Sequence, residues 1–457
     1  MTVTAEPLLA RPALAANPNI EAPDSTGAVG GRWYVHTVNN EFAVFSRASL
    51  RRVATLSGPR FLDPASPPVF SGDPQILWDR ADRRWYFATH SLRGTDGWRL
   101  WYGWSRTSDP TDLRRGWCRF SISADDPTGR RLDDFPKLGQ DVARIIIGSN
   151  YVDQTADTFT ARVVSVPKPP RGDRSCAPPR PSIFGTLAAP LRTPARRIAV
   201  TPVPANPVTP GRDGWIVAAE CTAKECGRTV GHSLALWKLT GPAATPRLVP
   251  AATLRVPAFR VAPPALQRGS PRRLDTLEST WLTSAAAAPE SRAGGRLAIW
   301  TQHTVAGPGG RPAVRWYEIV PSLRRVRQAG LIADPRAAVF NGAVGPTRDG
   351  DGAVAVYSVS SRTQLPSLRV RARTAALPPG RFGTERIIAR SVAPNATCSA
   401  PPRNKICRWG DYSGAVPDPD RRGVVWITGQ VMGPRRPDPE ADHWRTWIAA
   451  IRPVARR

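Results

Sequence analysis

One unit recurs seven times along this chain, and no other feature limits its fold as strongly. Each copy typically opens with an Asp-led strand, turns through a Gly, Asp or Pro loop, and then gives a very apolar strand. The openings stand at Asp24, Asp73, Asp134, Val203, Asp275, Asn341 and Asp411, and the apolar strands begin at Trp33, Trp85, Ile145, Trp215, Leu297, Val354 and Val424. A third strand follows in most copies, as in FAVFSR from Phe42, LALWKL from Leu234 and WRTWIAAIR from Trp444, and a weaker fourth as in WCRFSIS from Trp117. Seven units of four antiparallel strands predict an all-β, seven-bladed β-propeller with the blades set around a central channel, six blades being the alternative count. A sandwich or barrel would have to repeat seven comparable openings by accident. After Asp411 only three strands remain before Arg457, and a closed ring leaves no open edge. The spare segment Thr2 to Ala15 is therefore expected to complete the last blade, with residues 1–22 forming an N-terminal segment and residues 23–457 a single propeller domain.

Composition agrees with strands. The chain has 16 Trp, and its 49 Pro and 37 Gly leave almost no window for an amphipathic helix. No apolar run is long enough to span a membrane. The net charge of +28 is nearly all Arg, with five Lys, and the Arg is scattered in singletons and pairs such as Arg83-Arg84 and Arg272-Arg273. That scatter argues against specific nucleic-acid binding and for a general attraction to anionic envelope polymers. Six Cys include two close pairs, Cys221/Cys226 and Cys398/Cys407, suited to short disulfide loops and hence to an oxidising, extracytoplasmic setting. The N-terminal stretch MTVTAEPLLARPALAANPN lacks the apolar core of an export signal.

Propeller geometry turns the repeat into a map. The start of each first strand and the end of each second strand meet on one face of the ring. Asp24, Asp73, Asp134, Asp275 and Asp411 start first strands, and Asn39, His90, Asn150, Glu220, His303 and Gln430 end second strands, so both sets are expected at one funnel mouth with Trp409, Tyr412 and Glu278 nearby. Three readings compete. In the structural one, Asp residues accept backbone N–H bonds and tie blades together, which accounts for their recurrence in five units. In the second, carboxylates, amides, His and aromatics bind a glycan, with Ca²⁺ conceivable where carboxylates meet. In the third, a pair drawn from Asp73, Asp275, Glu220, Glu278 and Asp411 cleaves a glycoside, with Tyr412 as a nucleophile and Arg408 as the one well-placed arginine. His90 and His303 are equivalent but are read as hydrogen-bonding residues, so no metal site is assigned to them.

Several segments carry a resemblance. APDSTGAVGGRWYVHTVNNEFAVFSR, GDPQILWDRADRRWYFATHS, DDFPKLG, RRLDTLES, RWGDYSGAVPDP and WRTWIAAI resemble a group of uncharacterised, exported bacterial β-propeller proteins, loosely sialidase-like in architecture. The resemblance runs from about Pro23 to Ile451 and implies the propeller fold and export, without an activity. The expectation is an exported or cell-envelope monomer that binds a glycan or anionic polymer at its funnel face. The alternatives are a sialidase-like glycoside hydrolase using the same carboxylates, and a purely structural surface protein. No certain cofactor is expected.

Overall fold

A computed structural model of the chain describes residues 2–15, 20, 22–92, 97–123, 130–154, 158–221, 229–277, 281–290, 294–395, 406–434 and 443–456. Seven small antiparallel sheets stand in a ring. The innermost strands of blades I to VII are Thr26–Gly30, Phe70–Asp79, Arg131–Gln140, Val203–Pro204, Ala285–Glu290, Ala338–Pro346 and Gly414–Pro417. The second strands are Trp33–Val38, Arg84–Leu92, Arg144–Asp153, Gly214–Ala219, Arg296–Ala306, Gly352–Ser361 and Val425–Met432. They run as near-continuous apolar stretches because both faces are covered by neighbouring blades. Val425–Met432, for example, is buried at every position.

The ring is tight at its axis. A Cβ on Gly139 would lie 2.4 Å from the Ala205 carbonyl oxygen, and one on Gly345 would lie 2.7 Å from that of Ala415. Gly at these inner-strand positions lets adjacent blades approach backbone to backbone. Further out, aromatic and aliphatic side chains fill the wedge between blades. Tyr34 and Phe45 of blade I pack with Trp426, Trp444 and Ile448 of blade VII.

Blade VII draws strands from both ends of the described chain. Thr2–Ala15 pairs antiparallel with Trp444–Arg456, from Thr2 opposite Arg456 to Ala15 opposite Arg445, and forms the outermost strand of that sheet. Val3, Ala5 and Leu14 are buried by it. The seam with blade I is fastened by the Arg47 guanidinium, which donates to both Asp418 oxygens at 2.6 and 2.8 Å, and by the Asp411 N–H, which donates to Asp24 Oδ1 at 2.6 Å.

Two details depart from plain blades. Asn206–Pro207 leaves blade IV to pair in parallel with Ala286–Ala287 of blade V, and Arg273–Leu274 pairs in parallel with Ile406–Cys407. The second pairing carries Asp275 onto a loop, so this residue does not open an inner strand as its sequence position suggested; that strand begins at Ala285. A disulfide joins Cys118 to Cys176, 58 residues apart, across blades II and III. Cys221 and Cys407 are also disulfide-bonded, and no cysteine is free among the described residues, while Cys226 and Cys398 of the expected short loops lie outside them. No described helix is long and apolar enough to cross a membrane.

Candidate functional site

The mouth where inner strands begin is shaped by an unusual backbone. Near the mouth end of the inner strands, either just before the strand or at a bulge within it, stands a residue with left-handed φ: Asp24 (44°), Asp73 (50°), Phe135 (55°), Thr201 (46°) and Asn341 (49°), with Gly410 at 123° before blade VII. Asp and Asn tolerate this region better than other non-Gly residues, so the acidic openings answer a local backbone demand before any chemistry. In blade III the left-handed residue is Phe135, which displaces Asp134 by one position and leaves its side chain 39% exposed.

Side chains on or just past the second strands then tie three of these residues to the preceding blade. Asn39 Oδ1 accepts the Asp73 N–H at 2.8 Å, Asn150 Oδ1 accepts the Thr201 N–H at 2.6 Å, and Thr304 Oγ1 accepts the Asn341 N–H at 3.2 Å. His90 Nδ1 lies 3.3 Å from the Asp133 carbonyl of blade III. Asn39 and Asn150 thus join neighbouring blades, a tie that the structural reading had placed on the Asp residues.

Within this frame several carboxylates converge. Asp24, Asp73 and Asp411 each place one oxygen within 4.8 Å of the others, and Asp73, His90 and Asp134 do the same. Asn39 Nδ2 donates to Asp24 Oδ2 at 2.6 Å, and the Tyr412 hydroxyl donates to Asp73 Oδ1 at 3.1 Å. Two cations answer them. Arg408 donates to Asp411 Oδ1 at 2.8 Å. The buried Lys137 ammonium has no hydrogen-bond acceptor among the described residues and rests 3.4 Å from the Tyr412 ring centroid and 3.6 Å from that of Phe135.

Burial and like charge set the protonation. Burial, aided by repulsion from Asp24 and Asp134 and opposed by His90, pushes the Asp73 carboxyl up to about 6. Asp411 is held well above the usual carboxylate range, first by burial and then by Asp24, against the pull of Arg408. Burial brings Lys137 down to about 8 although Asp73 and Asp411 favour its charge. Burial also raises the Tyr412 phenol well above its ordinary value and so favours its protonated form. Arg408 is held more firmly protonated by Asp411. Both Asp24 oxygens already accept a hydrogen bond, Oδ2 from Asn39 Nδ2 and Oδ1 from the Asp411 N–H.

The remaining expected residues scatter. Asp275 sits half-buried on its loop, close enough for its charge to act on Arg408 and Asp411. Gln430 is buried beside the mouth, where a Cβ on Gly410 would meet its carboxamide at 2.9 Å and Asp24 Oδ1 at 3.4 Å. Glu220 serves blade IV instead, paired with Arg197 and accepting from the His232 N–H and the Ser233 hydroxyl at 3.0 Å. His303 is buried against Tyr317, whose hydroxyl lies 3.0 Å from its Nε2, and Phe259. Trp409 is a core residue whose indole N–H donates to Ser358 Oγ at 2.9 Å, so it offers no rim aromatic. Glu278 lies outside the described residues. Lys137 was missed by sequence reasoning, although it is the one lysine within an opening segment, DDFPKLG.

No family model matches the chain, and no curated protein matches it in sequence. Solved structures match it in shape. The hemagglutinin-neuraminidase ectodomain of parainfluenza virus 5 aligns at TM-score 0.42 and 9% identity, over 85% of each chain. The WD40 domain of SCAP from fission yeast aligns at TM-score 0.37 and 8% identity, over 94% of this chain and 81% of that one. An endo-1,5-α-L-arabinanase from Thermotoga petrophila aligns at TM-score 0.33 and 8% identity, over 97% of this chain and all of that one. Likenesses this remote carry neither activity nor substrate to this chain.

Proposed function

We propose that the acidic mouth is the ligand face of a binding module and that its ligand is a glycan without net negative charge. The observation that carries this reading is the rim: Asp134, Asp275, Asp411 and Arg408 stay partly exposed above a buried carboxylate cluster. Carboxyl oxygens accept from sugar hydroxyls and a guanidinium donates to them, giving the few oriented polar groups that such a site needs. An anionic polymer would meet repulsion here. The disulfide between Cys118 and Cys176 supports an oxidising compartment for the module.

Binding to an array of neutral glycans tests the reading, with Asp134→Asn and Asp411→Asn compared against the parent after both are verified as folded. Loss of a specific hit in the folded variants supports it. A hit that ignores both substitutions, or no hit at all, removes it.

Glycoside hydrolysis is the second reading. It is favoured by the carboxyl of Asp73, raised to about 6, and an oxygen of the partly exposed Asp134 within 4.8 Å of it. That contact is nearer the roughly 5 Å spacing of retaining enzymes than the wider inverting gap. Reducing-end release from an array hit, abolished in Asp73→Asn while binding persists, would favour hydrolysis over binding alone.

A further inference from the structure

The opposite mouth of the ring has a different character. There the inner strands end and turn into the second strands, about 20 Å from the acidic cluster for a strand of six or seven residues. Turns from blades I, II, III, IV and VII enclose a cleft of about 790 Å³ at this end, well within the size of small-ligand sites.

The cleft is basic. Arg32, Arg80, Arg83 and Arg171 line it, and all four are exposed. Arg83 and Arg171 have no acid partner among the described residues. Arg80 meets Asp420 at 3.4 Å and Arg32 meets Asp109 at 3.7 Å, but both pairs are largely exposed and therefore weak enough to exchange for a ligand anion. Arg83 also adopts a left-handed φ of 52° in the tight turn after Asp79, whose Oδ1 accepts the Ala81 N–H at 2.8 Å. A non-Gly residue in that region is uncommon and is held there by the surrounding turn.

Two half-buried indoles, Trp33 and Trp78, line the same cleft, and the Arg32 guanidinium lies 5.0 Å from the Trp33 ring centroid. An adjoining cleft of about 570 Å³ shares Arg32, Trp33 and Asp420 and adds the exposed Arg51 and Arg421, so the basic surface continues over the rim of blade I.

We infer that this mouth is a second binding site, for an oligosaccharide bearing carboxylate or sulfate groups. Arginines pair with the anions in fork geometry, the indoles offer flat apolar faces to the C–H side of the sugar rings, and Asp109 and Asp420 accept from hydroxyls. A nucleic acid would stack on the same indoles, but its closely spaced phosphates would run against those two carboxylates. An acidic saccharide carries about one charge per ring and can leave hydroxyls to face them.

Calorimetric titration with three probes of similar length tests the assignment: a hexamer of galacturonic acid, the same hexamer after carboxyl reduction, and a single-stranded oligonucleotide. The hexauronate should bind at least tenfold more tightly than either of the others. The double variant Arg83→Gln with Arg171→Gln should weaken it about tenfold, since each lost charge-assisted contact removes a severalfold factor. Trp33→Ala should weaken it a further threefold or more. Arg325→Gln, an exposed arginine on the outer strand of blade V, should leave affinity unchanged and so exclude a general charge effect. Unfolding midpoints verify each variant, and if Trp33→Ala does not fold, Trp33→Phe takes its place. Equal affinity for the oligonucleotide, insensitivity to the double arginine variant, or an equal loss in Arg325→Gln would overturn the proposal, as would the absence of hexauronate binding.

Discussion

Replacing Asp73 by Asn should stabilise this protein at neutral pH and have little effect in acid. Asp73 is 6% exposed, and its carboxyl titrates at about 6 instead of 3.8 because burial and the neighbouring Asp24 and Asp134 disfavour the charge. The folded state therefore keeps this proton to a higher pH than the unfolded chain does. Folding takes up a proton between about pH 4 and 6, so stability is greatest below that window, falls as pH rises through it, and carries the full penalty above about 6. Two pKa units correspond to about 3 kcal/mol. Asn removes the charge while keeping the geometry: it tolerates a φ of 50°, and its amide oxygen can still accept from the Tyr412 hydroxyl. Some attraction to Lys137 is lost with the charge, which brings the expected gain at pH 7 to about 1–3 kcal/mol. Urea unfolding of both proteins from pH 4 to 8 measures this directly, with the difference between them cancelling most other titrations. The variant should match its parent near pH 4 and pull ahead through pH 6. A difference that does not vary with pH would mean that charge is not its source. A less stable variant at pH 7 would mean that the carboxylate is held favourably, refuting the reasoning from burial and repulsion.

Other perturbations test the same frame. Lys137, brought down to about 8 from 10.5, penalises the fold while it is charged, so stability should rise by up to about 3 kcal/mol between pH 8 and 10.5. Lys137→Met should abolish that alkaline rise in urea titrations. Asp418 is fully buried and accepts from Arg47 and from the Trp426 indole at 2.8 Å, so Asp418→Ala should cost about 3–5 kcal/mol, and Arg47→Met in that background should recover part of the loss. Leu14→Ala on the strand that completes blade VII should cost about 2–5 kcal/mol by urea midpoint, because Leu14 is 1% exposed. Leu8→Ala on the same strand, 37% exposed, should change stability by less than about 0.5 kcal/mol.

The blades were legible because each carries its own signal within some ten residues. WYFATH from Trp85 and IIIGSN from Ile145 are buried at every position, and a run of that kind marks a strand covered on both faces whatever surrounds it. Asp24, Asp73 and Asp411 were legible as mouth residues because their place follows from blade topology. Their neighbours were not. Asp275 looks like another opening, yet the parallel pairing of Arg273–Leu274 with Ile406–Cys407 holds it on a loop. Asn39 binds the Asp73 N–H from 34 residues away, a relation that only the blade spacing creates. Trp409 reads as a rim aromatic from its neighbours Arg408 and Asp411, while packing against Phe340 buries it. The basic cleft was hidden for the same reason. Arg32, Arg80 and Arg171 look scattered along the sequence and become one surface only when blades I, II and III stand side by side.

The acidic mouth also lies on the seam that closes the ring, and the two roles constrain each other. Asp24 and Asp411 belong to blades I and VII, and the N–H of one residue binds the carboxylate of the other while their charges repel. The carboxylates are held together by the backbone heads, by Asn39 and by the packing of the seam, against their mutual repulsion. A cluster kept in place this way stays poised: a ligand that donates hydroxyl hydrogens to Asp411 and Asp134 would offset repulsion that the fold otherwise carries, and would bind the closed ring in preference to an open one. Ligand binding at this mouth and closure of the propeller should therefore be linked. An array hit for the acidic mouth should raise the unfolding midpoint of the whole domain, and should do so less in Asp411→Asn, where less repulsion remains to be relieved.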